Sequence, residues 1–414
     1  MTKYLFISIL VSLLLTSNSF SLEKLSIVQR NKSDLVKVPN NNRLKKTEQL
    51  LIETADKISE GRIDKALEVV QSLIDINPNF NLAHMIHGDL LLLQSQNYEQ
   101  VSANTQRDYE NKISDLKLEL SRRIESFNDE DKNYIAPKIK VSLTKNIKYL
   151  IFVDVKSSRM FTFSNNNGRL EYLSDYYISV GKNGYGKKFE GDKKTPIGTY
   201  FLENRITAKL PDRYGIGAYP ISFPSAYDKI NNFTGSGIWI HGTPSTTYSR
   251  PPQSSDGCIV LSNDDIGEIA HILNESGTPV IISDIGLSNI NAREVMDVEL
   301  TKNEILTKIQ GWETSWQEKD IERYLGYYSD TARYNNDSYL KWTEHKRNVF
   351  RESQDLQINI EDISFFEYPV KDQELIVVRF KQKYSSNLIK NEIIKQQMWL
   401  KTDSVWSIIY EGGT

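Results

Sequence analysis

A single cysteine, Cys258, stands among 414 residues, so no internal disulfide can form. That scarcity excludes a disulfide-stapled scaffold. With only five scattered histidines, it also leaves no zinc pattern of recognisable spacing. An excess of charge of one sign is missing too. The net charge is −3 with lysine, arginine and acid interspersed, which excludes the basic surface that nucleic-acid affinity requires. Long apolar runs are also scarce: Tyr4–Leu15 (YLFISILVSLLL) is twelve residues against the roughly 20 that a membrane span needs. Met1-Thr2-Lys3 gives this run a basic start, and TSNSFS places small residues at Ser19 and Ser21 behind it. Residues 1–21 therefore read as a cleavable signal peptide, and the expected location is exported, in the periplasm. Oxidising compartments normally pair cysteines. Cys258 has no partner in its chain, so an intermolecular bridge, an inert buried side chain and a reactive thiol all remain open.

What is present divides the chain into several parts, as its length suggests. Residues 22–45 are polar and read as a linker. Residues 46–135 carry helical periodicity. IDKALEVVQSLIDINPNFNLAHMIHGDLLLLQ, broken at Pro78, resembles one tetratricopeptide-like hairpin, and Ile113, Leu116, Leu120 and Ile124 form a stripe on a following helix. Residues 140–286 are mostly β. Short β-branched and aromatic runs such as IKYLIFVDV, RMFTFS and GIWIHG alternate with glycine and polar turns, and one helix begins after a Ser262 cap with Asp265 three residues on. Residues 296–414 place helical spacing before three long strand-like runs, the α+β order of a cone-shaped sheet over a pocket, resembling the nuclear-transport-factor-two-like fold. Trp312, Trp316 and Tyr324 would line that pocket or pack its core. The fold class is thus multidomain, with an α-helical part, a mostly-β catalytic-sized part and an α+β cone.

Two motifs are set aside. GKNGYGKK (Gly181–Lys188) imitates a phosphate-binding loop, but Lys188 stands where a hydroxyl should meet magnesium, and Gly191, Pro196 and Gly198 forbid the helix that should follow. His84 and His87 lie one turn apart without a third ligand and read as ordinary histidines. HGTPSTTYSRPPQSSDGCIVL (241–261) is different. GIWIHG ends a strand at His241, and Gly257 precedes Cys258 shortly before a helix. A glycine there allows a tight turn and can leave amides pointing at one spot, as an oxyanion hole requires. A thiol needs a base nearby to act as a nucleophile, and His241 is the natural base. The residues alone leave nucleophile and inert cysteine both open.

His-Gly-Thr-Pro followed by Ser-x-Gly-Cys-Ile resembles the signature of the YkuD-type L,D-transpeptidases, and LPDRYGIGAYPISFP (210–224) resembles their YafK-like murein-modifying branch. Thr195-Pro196-Ile197-Gly198 resembles that family's T-P-x-G stretch. The resemblance covers about a third of the chain. It implies that Cys258 is the nucleophile and His241 the acid–base, with Gly242 orienting the imidazole through its carbonyl and Gly257 and Cys258 amides holding the oxyanion. It implies peptidoglycan stem peptides as substrate, no metal or cofactor, and other cell-wall proteins as possible partners; it is silent on oligomeric state. Two positions depart from the pattern: Asp256 where many members have histidine, and Val260 where many have arginine or asparagine. Arg250 or Arg213 is then expected to hold substrate, with Ser255, Asp256 and Tyr248 as further rim contacts. Transfer to an amine would make a transpeptidase, transfer to water an L,D-carboxypeptidase trimming tetrapeptides to set cell shape, and loss of chemistry a wall-binding scaffold. Removing residues from about 296 onward is expected to leave the thiol competent.

Overall fold

The computed structural model describes residues 46–95, 106–125, 136, 139–286, 292–334, 339–353, 355–370, 373–387 and 389–413. The signal peptide and linker expected over 1–45 lie outside the described residues, as does the end of the helical segment.

The helical part comprises α1 (Lys46–Ser59), α2 (Ile63–Ile76), α3 (Asn81–Ser95) and α4 (Gln106–Glu125). Apolar residues recur every three or four positions, so Leu51, Ala66, Val70, Leu73, Ala83 and Leu90 share one dry core. Leu116, Leu120 and Ile124 of α4 close that core, as their spacing predicts. His84 Nε2 lies 2.7 Å from the Pro78 carbonyl, a local turn contact.

The middle part runs through β1 (Val141–Ser142), β2 (Tyr149–Asp154), β3 (Arg159–Asn166), β4 (Arg169–Tyr177), β5 (Val180–Gly181), β6 (Gly198–Phe201) and β7 (Ala218–Pro220). It continues through α5 (Ala226–Ile230), β8 (Trp239–His241), β9 (Gln253–Ser255), β10 (Ile259–Val260), α6 (Asn263–Glu268), α7 (Ala270–Leu273) and β11 (Pro279–Ser283). A five-stranded sheet has the order β4-β3-β2-β11-β6, and a three-stranded sheet the order β10-β8-β7. The side-chain period of two gives the larger sheet two apolar faces. Ile151, Val153, Val280 and Ile282 enter a core shared with Ile240, Ile259, Ile266 and Leu273, beneath the smaller sheet. Leu150, Phe152, Phe161, Phe163, Phe201 and Ile281 face the other way.

That second face is covered by the C-terminal part: α8 (Ala292–Gln317), α9 (Ile321–Leu325), β12 (Tyr328–Tyr334), α10 (Tyr339–Glu352), β13 (Gln357–Glu367), β14 (Glu374–Ser385), β15 (Lys390–Thr402) and β16 (Val405–Gly413). Phe366, Tyr368, Leu375, Val377 and Met398 pack onto the five-stranded sheet, with Phe201 and Phe366 edge to face at 5.6 Å. The six-stranded sheet has the order β1-β13-β14-β15-β16-β12. Its edge strand β1 pairs with β13, although the sequence places Val141–Ser142 with the middle part. The last strand-like run is two strands, turned at Asp403 and Ser404. Both adopt positive φ (49° and 67°), as a tight hairpin requires, without the Asn-Gly signature that would have marked the turn. The cone's concave side is filled. Trp312, Tyr324 and Trp399 are fully buried and Trp316 nearly so, so these aromatics are core.

Candidate active site

Strands β8 and β10 lie parallel with Ile240 beside Ile259 and His241 beside Val260. Continuing that register by one residue sets Cys258 beside Trp239. Ile240 and Ile259 point into the core. Alternation therefore turns His241 and Cys258 to the opposite, shared face, with Cα atoms about 8 Å apart for ideal strand spacing. The sequence expectation that strand end and loop return to one edge is met by this ladder.

Each side chain is held from behind. His241 Nδ1 lies 2.7 Å from the Gly242 carbonyl, the partner that the resemblance implies, so Nδ1 and not Nε2 is committed to the backbone. Tyr214 stands edge-on to the imidazole at 5.1 Å and tilts against Trp239 at 5.0 Å. Asn263, the first residue of α6, fixes this arrangement: its Oδ1 accepts from Ile216 N at 3.1 Å and its Nδ2 donates to Thr243 O at 2.9 Å. A Cβ on Gly242 would collide with that carboxamide, so glycine is required there. The cysteine turn depends on Gly257, whose φ of 124° L side chains avoid and whose added Cβ would meet Lys194 O at 2.8 Å. Buried Thr195 donates its hydroxyl to Gly257 O at 3.0 Å and accepts from Gly181 N at 2.9 Å.

Burial and local charge set the resting protonation. Desolvation pushes the His241 pKa down to about 4; the Gly242 carbonyl opposes this, and the Arg250 and Arg213 cations reinforce it. Desolvation likewise pushes the Cys258 thiol up. The Trp239 backbone amide lowers it, Asp256 raises it, and Arg250 and Arg213 lower it. Both shifts favour the neutral forms, a thiol at Cys258 and an imidazole at His241. Cys258 Sγ is 3.6 Å from the Gly237 carbonyl, to which the thiol donates.

Of the expected rim residues, Arg213 and Arg250 do come together beside the pair. Both cations act on His241 and Cys258, and Arg250 Nη2 donates to Arg213 O at 3.4 Å. Asp256 is exposed and forms an ion pair with Lys182 at 3.0 Å. Two residues are placed otherwise. Tyr248 turns away into the helical part, its ring 4.8 Å from Phe80. Ser255 is buried and braces the cysteine turn, accepting from Gly257 N at 3.1 Å and donating to Cys258 O at 2.7 Å. That bond occupies the Gly257 amide, correcting the expectation that it serves an oxyanion. Sequence reasoning missed the roles of Thr195, Tyr214, Asn263 and Lys182. Thr195, Lys182 and Tyr214 lie in stretches that carry the family resemblance, whereas Asn263 carries no signal.

Comparison with known proteins now fits onto this geometry. Residues 148–282 match the model of the YkuD family, the L,D-transpeptidase catalytic domain. The middle part thus matches the YkuD-type L,D-transpeptidase catalytic domain. Residues 304–412 match the Cds6 C-terminal NTF2-like domain. YafK of Escherichia coli K12, named as a candidate L,D-transpeptidase, is 34% identical over 100 residues, or 24% of this chain; the match spans about a third (36%) of YafK's length. Among solved structures, Bd1075 of Bdellovibrio bacteriovorus superposes with a TM-score of 0.55 at 26% identity, covering 67% of this chain and 97% of that one. The helical cell shape determining protein Pgp2 of Campylobacter jejuni does so at 0.56 and 22%, covering 68% and 99%. With Pgp2 the likeness is one of fold. In both cases it extends well beyond the YkuD domain.

Proposed function

We propose that this protein is a peptidoglycan L,D-transpeptidase of the cell envelope, working through a cysteine acyl-enzyme on stem tetrapeptides. One observation carries the reading: His241 and Cys258 share one face of a parallel ladder with two arginines beside them. Arg250 and Arg213 are suited to the carboxylate of the terminal D-alanine. Neutral His241 takes the thiol proton as Cys258 Sγ attacks the carbonyl between the third residue and D-alanine. The Cys258 amide faces the developing oxyanion. The carbon–nitrogen bond breaks, His241 returns its proton to the departing amine, and free D-alanine leaves a thioester on Cys258. His241 then deprotonates the amine of a second stem peptide, which takes the acyl group as a cross-link.

A second reading, with water as acceptor and a tripeptide as product, has its own support. Arg213 and Arg250 make the rim positive, and its nearby acid, Asp256, is already neutralised by Lys182. Such a rim disfavours an incoming ammonium and is indifferent to water. The fold shared with a protein titled as determining helical cell shape also suits a trimming role.

Wild type and Cys258→Ala are to be incubated with tetrapeptide muropeptides and the products resolved by mass. Linked dimers that vanish in the variant support transpeptidation, and tripeptide plus D-alanine without dimers supports trimming. Wild type that binds muropeptides yet turns none over would leave only the wall-binding scaffold.

A further inference from the structure

The helical part touches the middle part at the loop between His241 and Cys258, and beside the Tyr248 ring packed on Phe80 the contact is polar and buried. Glu119 and Arg123 of α4 are 1% and 3% exposed. Ser249 Oγ donates to Glu119 Oε1 at 2.6 Å. Arg123 Nε donates to the same carboxylate oxygen at 3.0 Å, and its Nη1 pairs with Glu48 of α1. The Arg123 guanidinium lies 4.0 Å over the ring of Tyr177. Tyr177 in turn donates its hydroxyl to the Arg250 carbonyl at 2.9 Å. Ser249 and Arg250, consecutive residues, are thus both tied to one guanidinium–carboxylate cluster, the first by its side chain and the second by its backbone.

We propose that Glu119 and Arg123 are positioning residues for the active site: through Ser249 and Tyr177 they fix the backbone that aims Arg250 at Cys258 and His241. The inference rests on the proposed roles of Cys258 and Arg250. Its physical basis is a choice of interaction type. An apolar contact would stabilise this interface at least as well, since buried ion pairs rarely outperform packed hydrocarbon. Charge-assisted hydrogen bonds add direction, because they are strong only in a narrow geometry. Here that direction lands on the residue pair carrying a cation of the site. The stack of Arg123 on Tyr177 also holds the phenol at the angle from which its hydroxyl reaches Arg250. Residues from a separate domain, more than a hundred positions before the cysteine, thereby act on the electrostatics at the thiol.

The test reads the thiol without any wall substrate, so it can fail or succeed independently of the acyl-transfer reading. Full-length wild type, Ser249→Ala, Tyr177→Phe, Arg250→Ala and the double variant Ser249→Ala/Arg250→Ala are alkylated with iodoacetamide across pH 6–10. Arg250→Ala removes a cation that favours the thiolate, so its profile moves to higher pH. Ser249→Ala and Tyr177→Phe are expected to move the same way, slowing alkylation at pH 8 by roughly two- to fivefold. The double variant should match Arg250→Ala alone, because both changes act through one group. Ser249→Thr, which keeps the hydroxyl, should restore the wild-type profile. If Ser249→Ala fails to fold, Tyr177→Phe, which keeps the ring and its stack, carries the test. Unshifted profiles for both loop variants alongside a shifted Arg250→Ala would reduce the cluster to interdomain glue. An unshifted Arg250→Ala would overturn the proposal at its last link.

Discussion

The YkuD domain is gripped from two sides by different chemistry. At the front, around one apolar anchor, the Tyr248 ring on Phe80, the helical part holds the loop with directional polar contacts: Glu119 to Ser249, Arg123 over Tyr177, and Asn79 O accepting from Tyr248 N at 3.1 Å. At the back, the NTF2-like sheet lies on Leu150, Phe152, Phe161, Phe163, Phe201 and Ile281, an apolar face with no role in the chemistry. Polar contacts are weak net contributors to stability but strict about geometry, whereas apolar burial is strong and indifferent to direction. The front grip should therefore govern the thiol, and the back grip should govern whether the domain folds.

The largest effect should come from the back. Phe366 is fully buried between the two sheets, and Phe366→Ala should cost about 3–5 kcal/mol, lowering the thermal midpoint by ~10 °C in calorimetry. Below that midpoint the alkylation profile of Cys258 should be unchanged. A shifted profile in the folded variant would break the division between the two grips. The shared core also bears on truncation. Cutting from about residue 296 would bare six apolar side chains on the catalytic sheet, so loss of the fold is expected before any effect on substrate choice.

Next comes the histidine. Its folded pKa of about 4 lies below the unfolded value near 6.5, so between those values the unfolded chain binds a proton that the folded chain does not. Stability should therefore fall as pH drops from 6.5 towards 4, by on the order of 3 kcal/mol. In His241→Gln this part of the midpoint-versus-pH curve should flatten. If the curves coincide, the imidazole is not held neutral and the resting pair is ionic. On the proposed mechanism, with neutral His241 as the base, catalytic turnover should persist to the same low pH.

Thr195 sits between these extremes. Thr195→Val keeps the shape but strips the hydroxyl from Gly181 N and Gly257 O, at a cost of about 1–3 kcal/mol. Because Gly257 leads into Cys258, the larger consequence should be a drop of roughly 10-fold or more in kcat, with KM little changed. An equal fall in stability with kcat intact would mean that the cysteine turn is held without Thr195.

How far the sequence disclosed these parts depends on the range of the interactions. Cys258, His241, Gly242 and Gly257 lie within one stretch, so their relation was legible, and the ladder of β8 and β10 adds only their shared face. Thr195 and Asn263 act on that stretch from elsewhere in the chain; T-P-x-G marks Thr195, but the Gly257 carbonyl and the Thr243 carbonyl that the two residues bond are set by tertiary structure. Tyr248 and Ser255 read in the sequence as rim residues, since loop residues normally meet solvent. Which other domain covers a loop is a tertiary fact, and here Phe80 and the cysteine turn itself claim them. The helices of the first part and the order of the cone followed from periodicity. The turn at Asp403 and Ser404 did not, since its residues lack the usual glycine.

The smallest effect tests whether buried charge means positioning everywhere in the molecule. The cone holds its own cluster: Lys395 pairs with Glu411, which also accepts from Gln397 at 2.9 Å and Tyr328 at 2.6 Å. Lys346 lies 4.2 Å over the ring of Trp316. Burial, with Lys395 nearby, pushes the Lys346 pKa down to about 7, against the partial support of Glu411. Between about 7 and 10.5 the unfolded chain binds the proton that the folded chain sheds, so stability from this group rises with pH across that window. Lys346→Met keeps the length and removes the desolvated charge, and it should raise the midpoint at pH 7 by a few degrees, about 1 kcal/mol. It should also flatten the curve above pH 7 and leave Cys258 alkylation untouched, because this cluster contacts cone residues and not the catalytic loop. If Lys346→Met shifts the thiol profile, influence on the site reaches through the apolar back interface. The front and back grips would then be one coupled device rather than two.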